Sequence, residues 1–283
     1  MLFRSAKFFS NELLKQQPNL KSSITPASYQ SLNSGSVPSI ADGGVSRFNL
    51  YFHSLNAQDD LANIKTDLEK QVYDASLKYQ NYEENDLSLK QKLKELSADN
   101  NAQKIATAVL TPIFKATFIQ KLGQAGYTFS NTGSFTVTSP QGEQITEKGK
   151  GKNTITSAVD AAAYLYELYS ITGGMQDELG ATDFSKYMPI DAAKFYAQYN
   201  DSNDFYSKGP SFDAGKAITT EIAQSLKQDL FKQVDDVINK RQKNIAVLRF
   251  AHAEIIIPLA TSLELKGMMQ SVPFSQTFNY NNS

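Results

Sequence analysis

Cysteine and tryptophan are absent from this sequence, and histidine occurs only twice, as His53 and His252. Without cysteine there is no disulfide framework, thiolate metal site or cysteine nucleophile, and that absence is compatible with any compartment. Two histidines exclude a His-rich metal centre. Excess charge is lacking too: 28 Lys and Arg against 29 Asp and Glu leave a formal net charge of -1. That balance gives no global reason to expect nucleic acid or an anionic membrane as partner. No apolar run approaches the roughly 20 residues of a membrane-spanning helix. The opening stretch Met1 to Phe9 carries Arg4 and Lys7 inside its apolar residues, so it is not a secretory signal. Its pattern is that of an amphipathic helix already under way near residue 1, and the expectation is a truncated chain. There is no G-x-S-x-G, H-E-x-x-H or EF-hand loop.

What is present reads mainly as helix. Of the 283 residues, 41% are hydrophobic, enough for one sizeable core or two small ones. A helix over 5–16 stops before Pro18, and a Ser-, Pro- and Gly-rich connection runs from about 18 to 46. Asp59 offers an N-cap for a helix with Leu61, Ile64, Leu68, Val72 and Tyr79 on one face. Pro112 should kink the helix that follows over 101–122 or divide it in two. The alternating pattern near 127–146 predicts a small β-hairpin. Helices return at 155–171, at 190–199 and over Asp213 to Lys240. In the last of these, Ile218, Ile222, Leu226, Leu230, Val234 and Ile238 recur every four residues. Residues 244–251 then form a short apolar run, as expected of a buried strand.

His252 and Glu254 stand at the end of that run. Residues 255–265 suit a helix, with Pro258 tolerable in its first turn and Gly267 as its stop. A helix N-terminus beyond a strand's carboxyl end favours an anion. A histidine there can bind a phosphoryl oxygen, and a protonated glutamate can give its proton to a leaving alcohol. The competing reading is structural: a lone histidine at a strand end usually serves packing, and Glu is common in a first turn for dipole reasons.

The wording of the segment separates these readings. Arg249-Phe250-Ala251-His252-Ala253-Glu254-Ile255-Ile256-Ile257-Pro258-Leu259 resembles the second signature of the histidine acid phosphatases. It looks specifically like the multiple inositol polyphosphate phosphatase branch, where His-Ala-Glu replaces His-Asp. Residues 161–169, residues 204–210 and Ser5-Ala6-Lys7-Phe8-Phe9 are similar to further segments of that branch. The resemblance implies an α/β histidine-phosphatase fold, here incomplete: a mostly helical cap domain with a small β-hairpin and one C-terminal strand-helix unit of the α/β core. It implies three regions: a core-associated helix and connection over 1–46, the cap over 47–241, and a return to the α/β core over 242–283. It also implies hydrolysis of inositol polyphosphates (phytate-like) or another phosphate monoester through a phosphohistidine. Glu254 would be the proton donor, His252 would bind the transferring phosphoryl group, and Lys208 is a further substrate-contact candidate. No metal or other cofactor is implied, since arginines and histidines stabilise the charge. By the same analogy the parent enzyme is exported.

The chain departs from the pattern in one serious respect. The family's nucleophile is the histidine of Arg-His-Gly-x-x-Arg, and no Arg-His-Gly occurs here. Arg4 abuts Ser5-Ala6 and so misses the spacing of the family's phosphate-binding arginine. The expectation is a fragment without the nucleophilic strand, which should not turn over substrate by the family mechanism. The rival from another class is a noncatalytic helical binding protein in which His252 and Glu254 are structural. Elsewhere, the Glu147–Lys152 loop reads as a solvated turn, His53 as a structural residue, Glu83-Glu84 as solvated charge, and Tyr164, Tyr166 and Tyr169 as packing.

Overall fold

The computed structural model describes residues 2–23, 64, 67–138, 144–148, 151, 154–175, 184–241, 246, 248–249 and 251–281. His53, Asp59 and Leu61 lie outside the described residues. The fold is mostly helical, with small antiparallel strand pairs. The described residues fall into two compact units, one from Met1–Lys90 with Asp204–Ser283, the other from Gln91–Asn203.

In the first unit, α1 (Leu2–Gln16) ends before Pro18, which opens a short 3₁₀ turn. Helix α2 (Asp67–Asn85) buries Val72, Tyr73, Ser76, Tyr79 and Tyr82, a stripe at helical spacing. The Asp86 carboxylate accepts the Leu89 amide (2.8 Å) and caps α3 (Leu87–Ala98). Three helices continue the unit: α8 (Asp213–Glu221), α9 (Gln224–Ile238) and α10 (Ala253–Ser262). Tyr79, Ile222, Ala223 and Ile255 make one buried cluster there, with Leu226, Ala251 and Leu259 against it. The chain's last described stretch is anchored by Phe278, whose ring stacks on Phe205 at 4.2 Å. Its amide donates to the Tyr206 hydroxyl at 2.7 Å.

The second unit holds α4 (Asn100–Leu110), α5 (Ala116–Ile119) and α6 (Ala158–Thr172). Helix α7 (Ile190–Ser207) begins in this unit. Asp99 caps α4 by accepting the Asn101 amide at 2.6 Å, and Pro112 separates α4 from α5 as expected. Ala102, Ala106, Ala158 and Ala162 are buried together with Val159 and Tyr196, small residues that let α4 and α6 pack closely. Tyr166 stacks on Tyr196 at 6.2 Å, so the tyrosine run does serve packing. The hairpin pairs β2 (Ser134–Thr138) with β3 (Gln144–Lys148), and Thr136 and Thr146 exchange a 2.7 Å hydrogen bond across it. Flanking it, β1 (Phe129–Ser130) pairs with β4 (Thr154–Ile155). Gly123 (φ +89) lies so close to the Thr156 carbonyl that a Cβ would stand 2.0 Å from its oxygen.

Four expectations are corrected. The strand over 244–251 is absent from its described residues, Ala246, Leu248, Arg249 and Ala251, and Leu248 is 56% exposed. A strand exists only as part of a ladder, and no described strand pairs with this segment. The long helix from Asp213 breaks at Ile222 and Ala223 into α8 and α9. A repeat of four residues turns about 400°, so its stripe drifts roughly 40° per step and cannot keep one core in view. Ile222 is accordingly buried, whereas Ile238 is 70% exposed. Pro258 sits inside α10 rather than in its first turn, and its missing N–H removes one rung there. Finally, α10 stops at Ser262 rather than near Gly267. Glu264 takes the left-handed conformation (φ 54), with Leu265 N–H on the Ala260 carbonyl and Glu264 N–H on the Thr261 carbonyl.

Candidate active site

The first turn of α10 carries both principal candidates. His252 is the residue before the helix, with extended backbone, and its imidazole does not cap the helix. Its carbonyl accepts the amides of Ile255 (3.2 Å) and Ile256 (3.0 Å), which locks the turn. Glu254 lies one residue into the helix, and both side-chain positions are half-buried. Ile255 between them and the core is fully buried. This alternation follows from helix geometry: Ile255 and Leu259, four apart, face inward and leave Glu254 on the flank.

The buried neighbour of this turn is Tyr79 of α2, which shares the Ile255 cluster. Its hydroxyl donates to Glu83 Oε1 at 3.1 Å. Burial pushes the Tyr79 phenol far above its ordinary value, and the negative charges of Glu83, Glu254 and Asp204 add to it. Tyr79 therefore stays a neutral hydrogen-bond donor throughout the physiological range. Lys208 is paired with Asp204 across one helical turn, so its ammonium is already engaged. The structure thus sets the first turn of α10 against one buried phenol through Ile255, while the Lys208–Asp204 pair is a separate contact. Glu83 is exposed, as expected of solvated charge, and also accepts the Tyr79 hydroxyl.

Arg249 reaches from the preceding segment to Asp229 on α9, with side chains 21% and 15% exposed. Tyr79 and Asp229 carried no local signal of this role, because each meets the segment around His252 across helix–helix packing. Of the Glu147–Lys152 loop, Glu147 and Lys148 close β3, Gly151 takes a positive φ of 72, and the rest lies outside the described residues.

No family model matches the chain, and no curated protein matches it. Solved structures do. The Bifidobacterium longum multiple inositol polyphosphate phosphatase in complex with inositol hexasulfate has a TM-score of 0.64 and 29% identity over 75% of this chain. Its apo form has a TM-score of 0.61 and 30% identity over 77%. Its phosphate complex has a TM-score of 0.61 and 29% identity over 77%. This chain resembles the multiple inositol polyphosphate phosphatase branch of the histidine acid phosphatases in both fold and sequence. It spans 45% of the length of each of those chains. The helical body and small antiparallel strands are those of a part of that fold.

Proposed function

We propose that this chain carries the proton-donating side of a phosphomonoesterase site for inositol polyphosphates. The observation that supports this best is the placement of His252 and Glu254 together at the N-terminus of α10, in a chain similar to an inositol polyphosphate phosphatase. The amides of a helix's first turn lack intrahelical partners and form its positive end, which suits a phosphoryl group. His252 binds a phosphoryl oxygen there, and Glu254 delivers its proton to the leaving inositol hydroxyl. Lys208 is a secondary contact, released from Asp204 when a polyanion approaches. By analogy with the family, phosphorus is attacked by the histidine of an Arg-His-Gly motif, which is not among these residues. The residues present therefore bind and protonate, without forming the phosphohistidine.

Isothermal titration of this chain with inositol hexakisphosphate tests the reading. Binding is expected, weakened more than about tenfold by His252→Ala and retained in Glu254→Gln, whose amide keeps the shape of a protonated acid. Absent binding, or binding indifferent to His252, refutes it. Sustained phosphate release from phytate by this chain would contradict the absence of the nucleophile.

A further inference from the structure

Among its described residues, the segment before His252 joins no strand, and it is met by side-chain contacts. Helix α9 supplies them at both ends of α10. Before α10, the Arg249 guanidinium pairs with the Asp229 carboxylate, both largely withdrawn from water. After it, Lys227 Nζ donates to the Ser262 carbonyl at 2.5 Å, and Gln224 Nε2 donates to Ser262 Oγ at 3.1 Å. Between these grips, Leu226 of α9 packs on the cluster that contains Ile255, Ala251 and Leu259. The start of α9 thus lies beside the end of α10, and Asp229 farther along it meets the chain before α10.

We infer that Asp229 and Arg249 are positioning residues that fix where His252 and Glu254 stand, acting through the chain between Arg249 and α10. Arginine suits this task. Its planar fork constrains direction as well as distance, which a lysine's point charge does not. Arg249 lies three residues before His252, so the ion pair tethers the chain close to the imidazole. The shielding of both partners from solvent makes removal of either one costly, because the other charge is left unpaired. The inference deepens the proposed phosphatase reading and rests on it for its functional meaning.

The two histidines make the test direct. The imidazole resonances of His252 and His53 are recorded by NMR and assigned with His53→Gln, and inositol hexakisphosphate binding is measured on the same samples. Asp229→Asn is expected to displace the His252 signals and to weaken binding about tenfold. Asp229→Glu should restore both, and Arg249→Lys should fall between, since it keeps charge and loses the fork. Lys232→Ala, which removes an exposed ion pair with Asp236 on the same helix, should leave both readouts unchanged. If Asp229→Asn does not fold, Asp229→Glu and Arg249→Lys carry the comparison. Unmoved His252 signals in Asp229→Asn and in Arg249→Lys overturn the inference. Displaced His252 signals in a chain that binds no polyphosphate would support the positioning role and refute the phosphatase reading instead.

Discussion

The buried hydroxyl of Tyr82 makes the stability of the first unit depend on alkaline pH. Tyr82 is 2% exposed, and its OH donates to the Tyr206 carbonyl at 2.8 Å. It also exchanges a 3.0 Å hydrogen bond with Ser211 Oγ. Burial, with smaller contributions from the charges of Asp86 and Glu83, pushes its phenol up to about 12 from an ordinary 10.0, against the opposing Ser211 contact. A pKa raised on folding means that the folded chain keeps a proton which the unfolded chain has lost. The contribution is therefore complete below pH 10 and disappears as pH rises toward 12. One proton gives a slope of about 1.4 kcal/mol per pH unit, or roughly 2.7 kcal/mol over that window. Tyr82→Phe removes this slope. At neutral pH it costs about 1–3 kcal/mol, because the buried Tyr206 carbonyl loses its donor. Urea unfolding of both proteins from pH 8 upward measures the difference directly, and the contributions of Tyr79 and Tyr196 largely cancel. The stability gap should be flat to pH 10 and then narrow. A gap that stays constant through pH 12 would refute the assignment.

Other outcomes follow from the packing of the site and its helix ends. Ile255→Ala, at a fully buried position, should cost about 2–5 kcal/mol, while Ile256→Ala, at a position 51% exposed, should cost far less; thermal unfolding of the pair separates them. Replacing Glu264 or Lys240, both at positive φ, by glycine should raise stability by about 1 kcal/mol each. Unchanged melting temperatures would show that the left-handed cap carries no strain there. Gly215→Ala should destabilise, since the added Cβ would stand 2.5 Å from the Tyr82 hydroxyl and 2.6 Å from Ser211 Oγ. Circular dichroism melts of that variant beside Tyr82→Phe, which vacates part of the space, test whether the clash is the cause.

Local chemistry was enough for much of this molecule. Pro18 and Pro112 fall where helices end or divide, because proline has no N–H to donate, although Pro258 is accommodated inside α10. The alternation around Phe135 and Val137 marks the hairpin, and His-Ala-Glu with its flanking residues points to the phosphatase branch. These signals are carried by a residue and its neighbours within a turn or a pleat. Only the tertiary structure decided which residues meet across helices. The four-residue repeat of α9 looks uniform in sequence, yet a helix turns its stripe away from any single partner. The apolar run before His252 had strand character, but pairing needs a ladder elsewhere, and the described residues provide side-chain anchors instead. That Tyr79 packs with Ile255, and that Asp229 holds Arg249, follows from how α2, α9 and α10 approach one another. Such contacts join residues from 20 to well over 100 positions apart, so no local pattern encodes them.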